Sequence, residues 1–421
     1  MLRFASSLGC ILLLAVAWPS PARGQVVDRG KVESEAAGQA TEADRLFKRG
    51  EWEPALALYE AERASRSALG DVRYEAYALR AIGICKAELG DDEGAIEALL
   101  KARVLDLKRE DKGYAGYDLF LIAQAELRLD RPLDAIRTLE TALPLLSQAV
   151  DRDHEADARL VLSKVLVTLG RSGEARVHVA RAIALAEELN DAWRIADGWA
   201  SSGQVEGTLG NYSLALERTS DAQELFEEQG RAADAAWMET VAASTLLMMG
   251  RPEPALARYR EAARLHEHLE DGGSLAEDLT AIAGVLLASE KLDEALAAAR
   301  KAVEKAQEVD DRPREVEARV RLAQVQGSQA DWPAAAETLD EAVGLIRQVA
   351  RDDPAEQVRL LITAAHADRL AGKRPRAKQR LDAARRIADD SGVEKLKGLV
   401  AEARGRFDEG EKSPDPPSPP R

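Results

Sequence analysis

Five histidines, two cysteines and several paired carboxylates are the residues of this 421-residue chain whose types suit metal binding or proton transfer. Their spacing does not. His154, His178, His266, His268 and His366 stand without a second ligand at metal spacing, and His266 and His268, two apart in a helical stretch, point to different sides. The pairs Asp91–Asp92, Asp310–Asp311 and Asp352–Asp353 fall at turns and helix starts, where capping and solvation account for them. A calcium loop would need alternating oxygen donors and a distal Glu. Cys85 lies between apolar positions of a helix and reads as an inert core thiol. Gly-rich phosphate loops, Cys-x-x-Cys pairs and nucleophile elbows are missing from the sequence. The chain is therefore expected to be no enzyme, with no catalytic residue, no cofactor and no metal.

The elements that carry these residues repeat. Gly50, Gly90, Asp130, Gly170, Gly210, Gly250, Glu290 and Ala330 recur at a step of 40 residues, and Gly372 follows after 42. Five residues beyond each comes an alanine, from Ala55 and Ala95 to Ala335 and Ala377. Seven residues before each is a small side chain, such as Ala43, Gly83, Ser163, Gly203 or Ala323, and twelve after is Ala, with Glu62 the exception in the first unit. Apolar residues between them keep helical spacing, as in Ile82, Leu89, Ile96 and Leu99. Each unit is thus a helical hairpin with the recurring glycine between its helices, and the small residues let the two backbones approach. An Asp in the same register (Asp71, Asp111, Asp151, Asp191, Asp271, Asp311) is expected to cap or open each following helix. Pro144, late in a second helix, predicts a kink or an early end. Gly198, Gly203 and Gly207 predict a soft first helix in the fifth hairpin, with a packing reason evident only for Gly203.

This small–small–Gly–Ala–Ala pattern resembles the tetratricopeptide repeat (TPR) across about 350 residues, in a long-helix, 40-residue form similar to MalT-like and CHAT-associated arrays. The resemblance implies an all-α TPR superhelical solenoid of about nine hairpins with a C-terminal capping helix, whose first helices line a concave groove. Carrying the family's phase over, that groove holds an outer row of Tyr77, Tyr117, Asp157, Asp197, Trp237, Glu277 and Glu317. A deeper row holds Ile84, Gln124, Lys164, Gln204, Ser244, Gly284, Gln324 and His366, with Phe120 beside Tyr117. Amides at successive repeats would bond an extended peptide, and Tyr117, Phe120 and Trp237 would accept apolar side chains. The other reading of these positions is ordinary solvation and core packing. The family's Lys/Asn/Asn/Lys/Arg carboxylate clamp is not reproduced.

Around the array, residues 1–24 read as a signal peptide: Arg3, a short apolar run from Leu8 to Trp18, and Ala22-Arg23-Gly24 before a cleavage at Gln25. Residues 25–33 are a polar lead, 34–390 the solenoid, 391–409 a capping helix and 410–421 a disordered proline-rich tail. Losing Arg3 and Arg23 moves the net charge from −16 to −18, which argues against nucleic acid and against anionic membranes beyond the cleaved signal. It also leaves Cys85 alone, so no intrachain disulfide forms. Only the end from Arg369 to Arg406 is basic, with twelve Lys or Arg against five acids. It reads as a solvated cap or as a dock for an acidic partner or a second copy. The function expected is an exported, periplasmic or secreted, non-catalytic scaffold binding a protein or peptide. The alternatives are a ligand-sensing regulatory subunit of a separate effector, and a self-assembling envelope protein.

Overall fold

Residues 29–349 and 353–412 are described in the computed structural model, and among them are nineteen α-helices and no strand. They form two compact units, Met1–Asp111 and Lys112–Arg421, where the sequence repeat reads as one array. The first holds α1 (Arg29–Phe47), α2 (Trp52–Leu69), α3 (Val72–Glu88) and α4 (Asp92–Lys108). The second begins with the hairpins α5 (Lys112–Arg128) with α6 (Pro132–Ala149), and α7 (Arg152–Thr168) with α8 (Ser172–Leu189). It continues through α9 (Ala192–Thr208), α10 (Tyr212–Glu228), α11 (Ala232–Met248) and α12 (Pro252–His268). Next come α13 (Gly272–Ala288), α14 (Leu292–Glu308), α15 (Arg312–Ser328) and α16 (Trp332–Val349). The chain finishes with α17 (Pro354–Leu370), α18 (Arg374–Ser391) and α19 (Glu394–Lys412). Within each unit, consecutive helices pack against each other in hairpins, the arrangement of a TPR solenoid. α1 starts before the expected start of the array at 34, and α19 runs past the expected end of the cap at 409. Residues 1–28 and 413–421, which include the expected signal peptide and most of the tail, lie outside the described residues.

One backbone device spaces the helices. The residue at each turn is left-handed, every 20 residues from Gly50 (φ 72°) and Gly70 (φ 73°) to Ala330 (φ 63°), then Gly372 and Gly392. At the turn after α3, the Gly90 N–H donates to the Ala87 carbonyl at 3.1 Å and the Asp91 N–H to the Lys86 carbonyl at 2.8 Å, closing the helix end in a Schellman motif. Glycine is the least strained choice there, but Asp130, Glu290 and Ala330 also adopt it, which explains why the glycine period lapses at those places. The capping acids behave as expected at Asp71, Asp151, Asp191, Asp271 and Asp311, whose carboxylates accept the N–H three residues on.

The recurring small residues sit where helices touch. Ala55, Ala95, Ala135, Ala175, Ala215, Ala255, Ala295 and Ala377 are all 0% exposed. A Cβ on Gly83 would lie 2.6 Å from Leu99 Cγ. The same holds for the glycines of α9, which correct the expectation that only Gly203 has a packing reason. A Cβ on Gly198 would meet Ile183 Cγ1 at 2.6 Å, one on Gly203 would meet Thr219 Oγ1 at 2.6 Å, and one on Gly207 would meet Met248 Cε at 3.2 Å. All three are close-approach positions in a continuous helix. Pro144 does not end α6, which continues to Ala149. Pro144 and Glu140, whose carbonyl loses its N–H partner, both face solvent, so water satisfies the freed group.

Candidate functional site

The groove residues expected from the sequence lie on the first helices of the hairpins. In Met1–Asp111 the row contributes Tyr77, which stays exposed while its hydroxyl donates to Asp44 Oδ1 at 2.9 Å. Tyr59 donates to the same oxygen at 2.6 Å. Partial desolvation by its neighbours and that acceptor push the Tyr77 phenol up to about 12, so it stays a neutral donor. Cys85 is a buried free thiol, pushed up to about 11 by burial.

In Lys112–Arg421 the outer row engages its own neighbours. Two positions recur: the sixth residue after the N-cap of one first helix and the third residue after the N-cap of the next. Tyr117 meets His154 with ring centroids 4.1 Å apart. Asp157 takes a two-pronged ion pair from Arg194 at 2.8 and 3.0 Å. Glu277 takes Arg314 at 3.2 Å. Hydrogen bonds from Arg194 to Asp157 raise that guanidinium's pKa against the effect of burial, so the pair is fixed as an ion pair. Asp197 pairs with Lys164 of the preceding first helix at 2.9 Å. Asp157, Lys164, Asp197 and Glu277 therefore clip successive first helices together.

The remaining expected residues divide by exposure. Phe120 is 7% exposed and belongs to the core, because it points inward from α5 among Ile122 and Leu119 positions that are equally buried. Trp237 is half-buried against the apolar cluster of Phe226, Met238 and Ala200. Gln124 and Gln204 are half-buried, and exposed Ser244 is hydrogen-bonded with the Tyr259 side chain. Glu317 and Gln324 are exposed on α15, and Gln324 accepts from Arg321 Nη1 at 2.8 Å.

Glu317 and Gln324 share a cavity of about 310 Å³ that α13, α15 and α17 line together, with Ile346 of α16 in its wall. Val316, Val320, Ile346 and Leu360 supply its apolar surface, and Thr280, Arg321, Glu356, Arg359 and Thr363 its polar groups. Sequence reasoning did not single out Arg321, Glu356 or Arg359. The signal that finds Glu356 is the third position after the N-cap, which reads His154, Arg194, Asp234, Ser274, Arg314 and then Glu356. Glu317 thus faces a carboxylate where Asp157 and Glu277 face an arginine. Enclosure by the groove walls raises the Glu317 carboxyl, and Glu277 and Glu356 raise it further. Burial also raises Glu356, with Asp353 adding to it and Arg359 opposing.

Among the described residues, no group of three His, Cys, Asp or Glu is placed to hold a metal ion, and no helix is long and apolar enough to cross a membrane. The most enclosed histidine, His266, is 1% exposed. Its Nδ1 lies 2.7 Å from Asp278 Oδ2, and Thr240 donates to Asp278 Oδ1 at 2.7 Å. This trio ties α11, α12 and α13 inside the core, where no substrate reaches it.

Comparison with known proteins agrees with this architecture. Residues 276–348 match the family model described as tetratricopeptide repeat. No curated protein matches the sequence. Among solved structures, a Signal Transduction ATPase with Numerous Domains (STAND) protein with a tetratricopeptide repeat sensor, from Pyrococcus horikoshii, is 16% identical with a TM-score of 0.57. The match covers 87% of this chain but 55% of that one, so this chain spans little more than half of that protein's length. A Rap protein complexed with competence and sporulation factor is 16% identical with a TM-score of 0.54, over 88% of this chain and 99% of that one. Aspartyl phosphate phosphatase F from Bacillus subtilis is 15% identical with a TM-score of 0.52, over 87% and 96%. At these identities the likeness is one of fold. With hairpin after hairpin closed by the same left-handed turn, and the family's own pattern matched in residues 276–348, the fold is that of a tetratricopeptide-repeat solenoid.

Proposed function

We propose that the first-helix face of Lys112–Arg421 is the ligand-binding groove of an exported, non-catalytic scaffold, and that its ligand is a protein or peptide. The observation that carries this reading is the cavity between α13, α15 and α17. It combines an apolar floor with several polar side chains not consumed by neighbouring repeats, the composition of a recognition site. TPR folds bind protein partners, and one chain of similar fold was solved as a Rap protein complexed with competence and sporulation factor. The STAND protein's repeats are described as a sensor, which favours a second reading: the same groove senses a ligand on behalf of a separate effector. Both readings use one site. Export rests on the composition of residues 1–24, and a mature N-terminus at Gln25, read by N-terminal sequencing, checks it.

The groove is tested with the chain from Gln25 onward and a pool of random amidated hexapeptides, comparing retention by the unmodified protein and by Thr363→Trp. Thr363 is exposed at the mouth of the cavity, so an indole there fills the space without entering the core. Retention lost with an unchanged melting temperature is the expected result. Equal retention by both proteins would move the site elsewhere.

A further inference from the structure

We infer that the cavity between α13, α15 and α17 is a subsite for one basic side chain of an extended peptide, received between Glu317 and Glu356. The inference rests on the groove reading above and gives that groove its partner's chemistry. Three observations carry it. First, the repeat register sets Glu317 and Glu356 in the two positions that make an ion pair elsewhere, and both line one cavity. The equivalent contacts are Asp157–Arg194 at 2.8 Å and Glu277–Arg314 at 3.2 Å, both between successive first helices. At the one other acid–acid place in this register, Asp197 and Asp234 each have their own cation, Lys164 at 2.9 Å and Arg231 at 2.8 Å. Among the described residues, neither Glu317 nor Glu356 makes a comparable ion pair, with Arg314 and Arg359 only at longer range. The cross-helix cation that the fold supplies at the equivalent places is not supplied here.

Second, this place is open and shaped. The cavity has about 310 Å³ and an apolar lining from Val316, Val320, Ile346 and Leu360, room for a lysine or arginine stem with its head between the carboxylates. Third, Arg321 lines the same cavity; its Nη1 bonds Gln324, its Nε is buried without a partner, and its guanidinium lies over Gly284, where a Cβ would approach Cζ to 3.1 Å. A peptide brings both the basic side chain and, beside it, a carbonyl that this guanidinium can bond, which a bare metal ion or amine does not.

The cost the two carboxylates bear when unliganded fits this role. Desolvation disfavours both charged forms, and Glu277 and Glu356 disfavour that of Glu317 further; an ammonium or guanidinium between the two carboxylates offsets this. The groups facing them are Glu277, Arg314 and Asp311 around Glu317, and Asp353, Arg359 and Asp130 around Glu356. Arg314 is already held by Glu277 and Asp311, and of the two guanidiniums that line the cavity with Glu317 and Glu356, Arg321 bonds Gln324 and Arg359 stands beside Glu356 on its own helix.

The test uses the chain from Gln25 onward and a positional-scanning pool of acetylated, amidated hexapeptides, with residue preference read at each position of the retained peptides. One position should be enriched in Lys or Arg with apolar neighbours. For a single peptide taken from that pool, Glu317→Gln and Glu356→Gln should each weaken binding at least tenfold. Glu356→Arg should restore the upstream type of clip to Glu317, abolish the basic preference and raise the melting temperature, which separates lost binding from lost fold. A retained pool without basic enrichment, or an enrichment unchanged in Glu356→Arg, overturns the subsite while leaving the groove standing. No retained pool at all overturns the groove and the subsite together.

Discussion

Replacing Asp278 with methionine should be among the most damaging single changes in Lys112–Arg421, and the repeat itself supplies the rescue. Asp278 is 0% exposed and His266 1% exposed, and Asp278 accepts from both His266 and Thr240. Asp278→Met leaves a buried imidazole nitrogen and a buried hydroxyl without their acceptor. Each orphan costs about 1–3 kcal/mol, and breaking a buried pair of this kind costs about 3–5 kcal/mol in all. One hairpin earlier, the equivalent positions hold Phe226 and Met238, which share one apolar cluster at 3% and 1% exposure. The double variant His266→Phe/Asp278→Met therefore copies a packing solution this fold already uses. It keeps only the Thr240 hydroxyl in question, and a helical threonine returns that to a carbonyl one turn back, as Thr245 does to Val241. The double variant should cost less than about 2 kcal/mol, giving a coupling of at least about 2 kcal/mol. Urea unfolding, with hydrogen exchange in α12 and α13 as the local readout, measures both. A double variant as damaged as Asp278→Met would refute the reasoning, because the trio would then matter for shape and not for its hydrogen bonds.

Three further outcomes follow from the backbone and the core. Val150 is a β-branched residue held at φ 59° and 67% exposed, so Val150→Gly should stabilise by about 1 kcal/mol in thermal unfolding. Gly203→Ala and Gly207→Ala should move in opposite directions. The first drives a Cβ to 3.2 Å from the Ala215 carbonyl and 2.6 Å from Thr219 Oγ1, whereas the second meets only the movable end of Met248 and gains up to about 1 kcal/mol of helix propensity. Glu62 is 0% exposed where most other repeats carry alanine, and burial raises its pKa despite Arg66. A raised carboxyl favours the folded state most when protonated, so its cost appears as pH climbs past the ordinary Glu value near 4.3. Glu62→Gln should accordingly be the more stable protein at pH 7 in urea unfolding, and the difference should vanish below about pH 4.

The hairpins were legible because their signal is local and repeated. A left-handed turn residue, an alanine five later and a capping Asp each follow from backbone geometry within a few residues, so Gly90, Ala95 and Asp151 could be read one at a time. The neighbours of Gly198 and Gly207 were missed for the complementary reason. Gly198 makes room for Ile183 and Gly207 lies against the movable end of Met248, side chains of other helices that no local rule reveals. An early end at Pro144 did not follow because the Glu140 carbonyl it frees lies on the exposed side of α6, which the local sequence does not show.

The candidate site was half legible, and the missing half has a definite origin. Family phase brought Asp157, Asp197, Glu277 and Glu317 to one face but treated them as equivalent. Three of them are neutralised by Arg194, Lys164 and Arg314, residues 33 or 37 positions away. In the sequence, Glu356 is one more acid in the first turn of a helix, where the macrodipole alone would justify it. It acquires a chemical meaning only once the sixth position of one first helix is known to meet the third position of the next. The final repeat is also two residues longer, so the partner of Glu317 is 39 positions away where Glu277 has Arg314 at 37. A pattern that is strictly periodic hides the place where it changes sign. In a solenoid, where every unit packs by the same rule, that place is where a ligand has something to add.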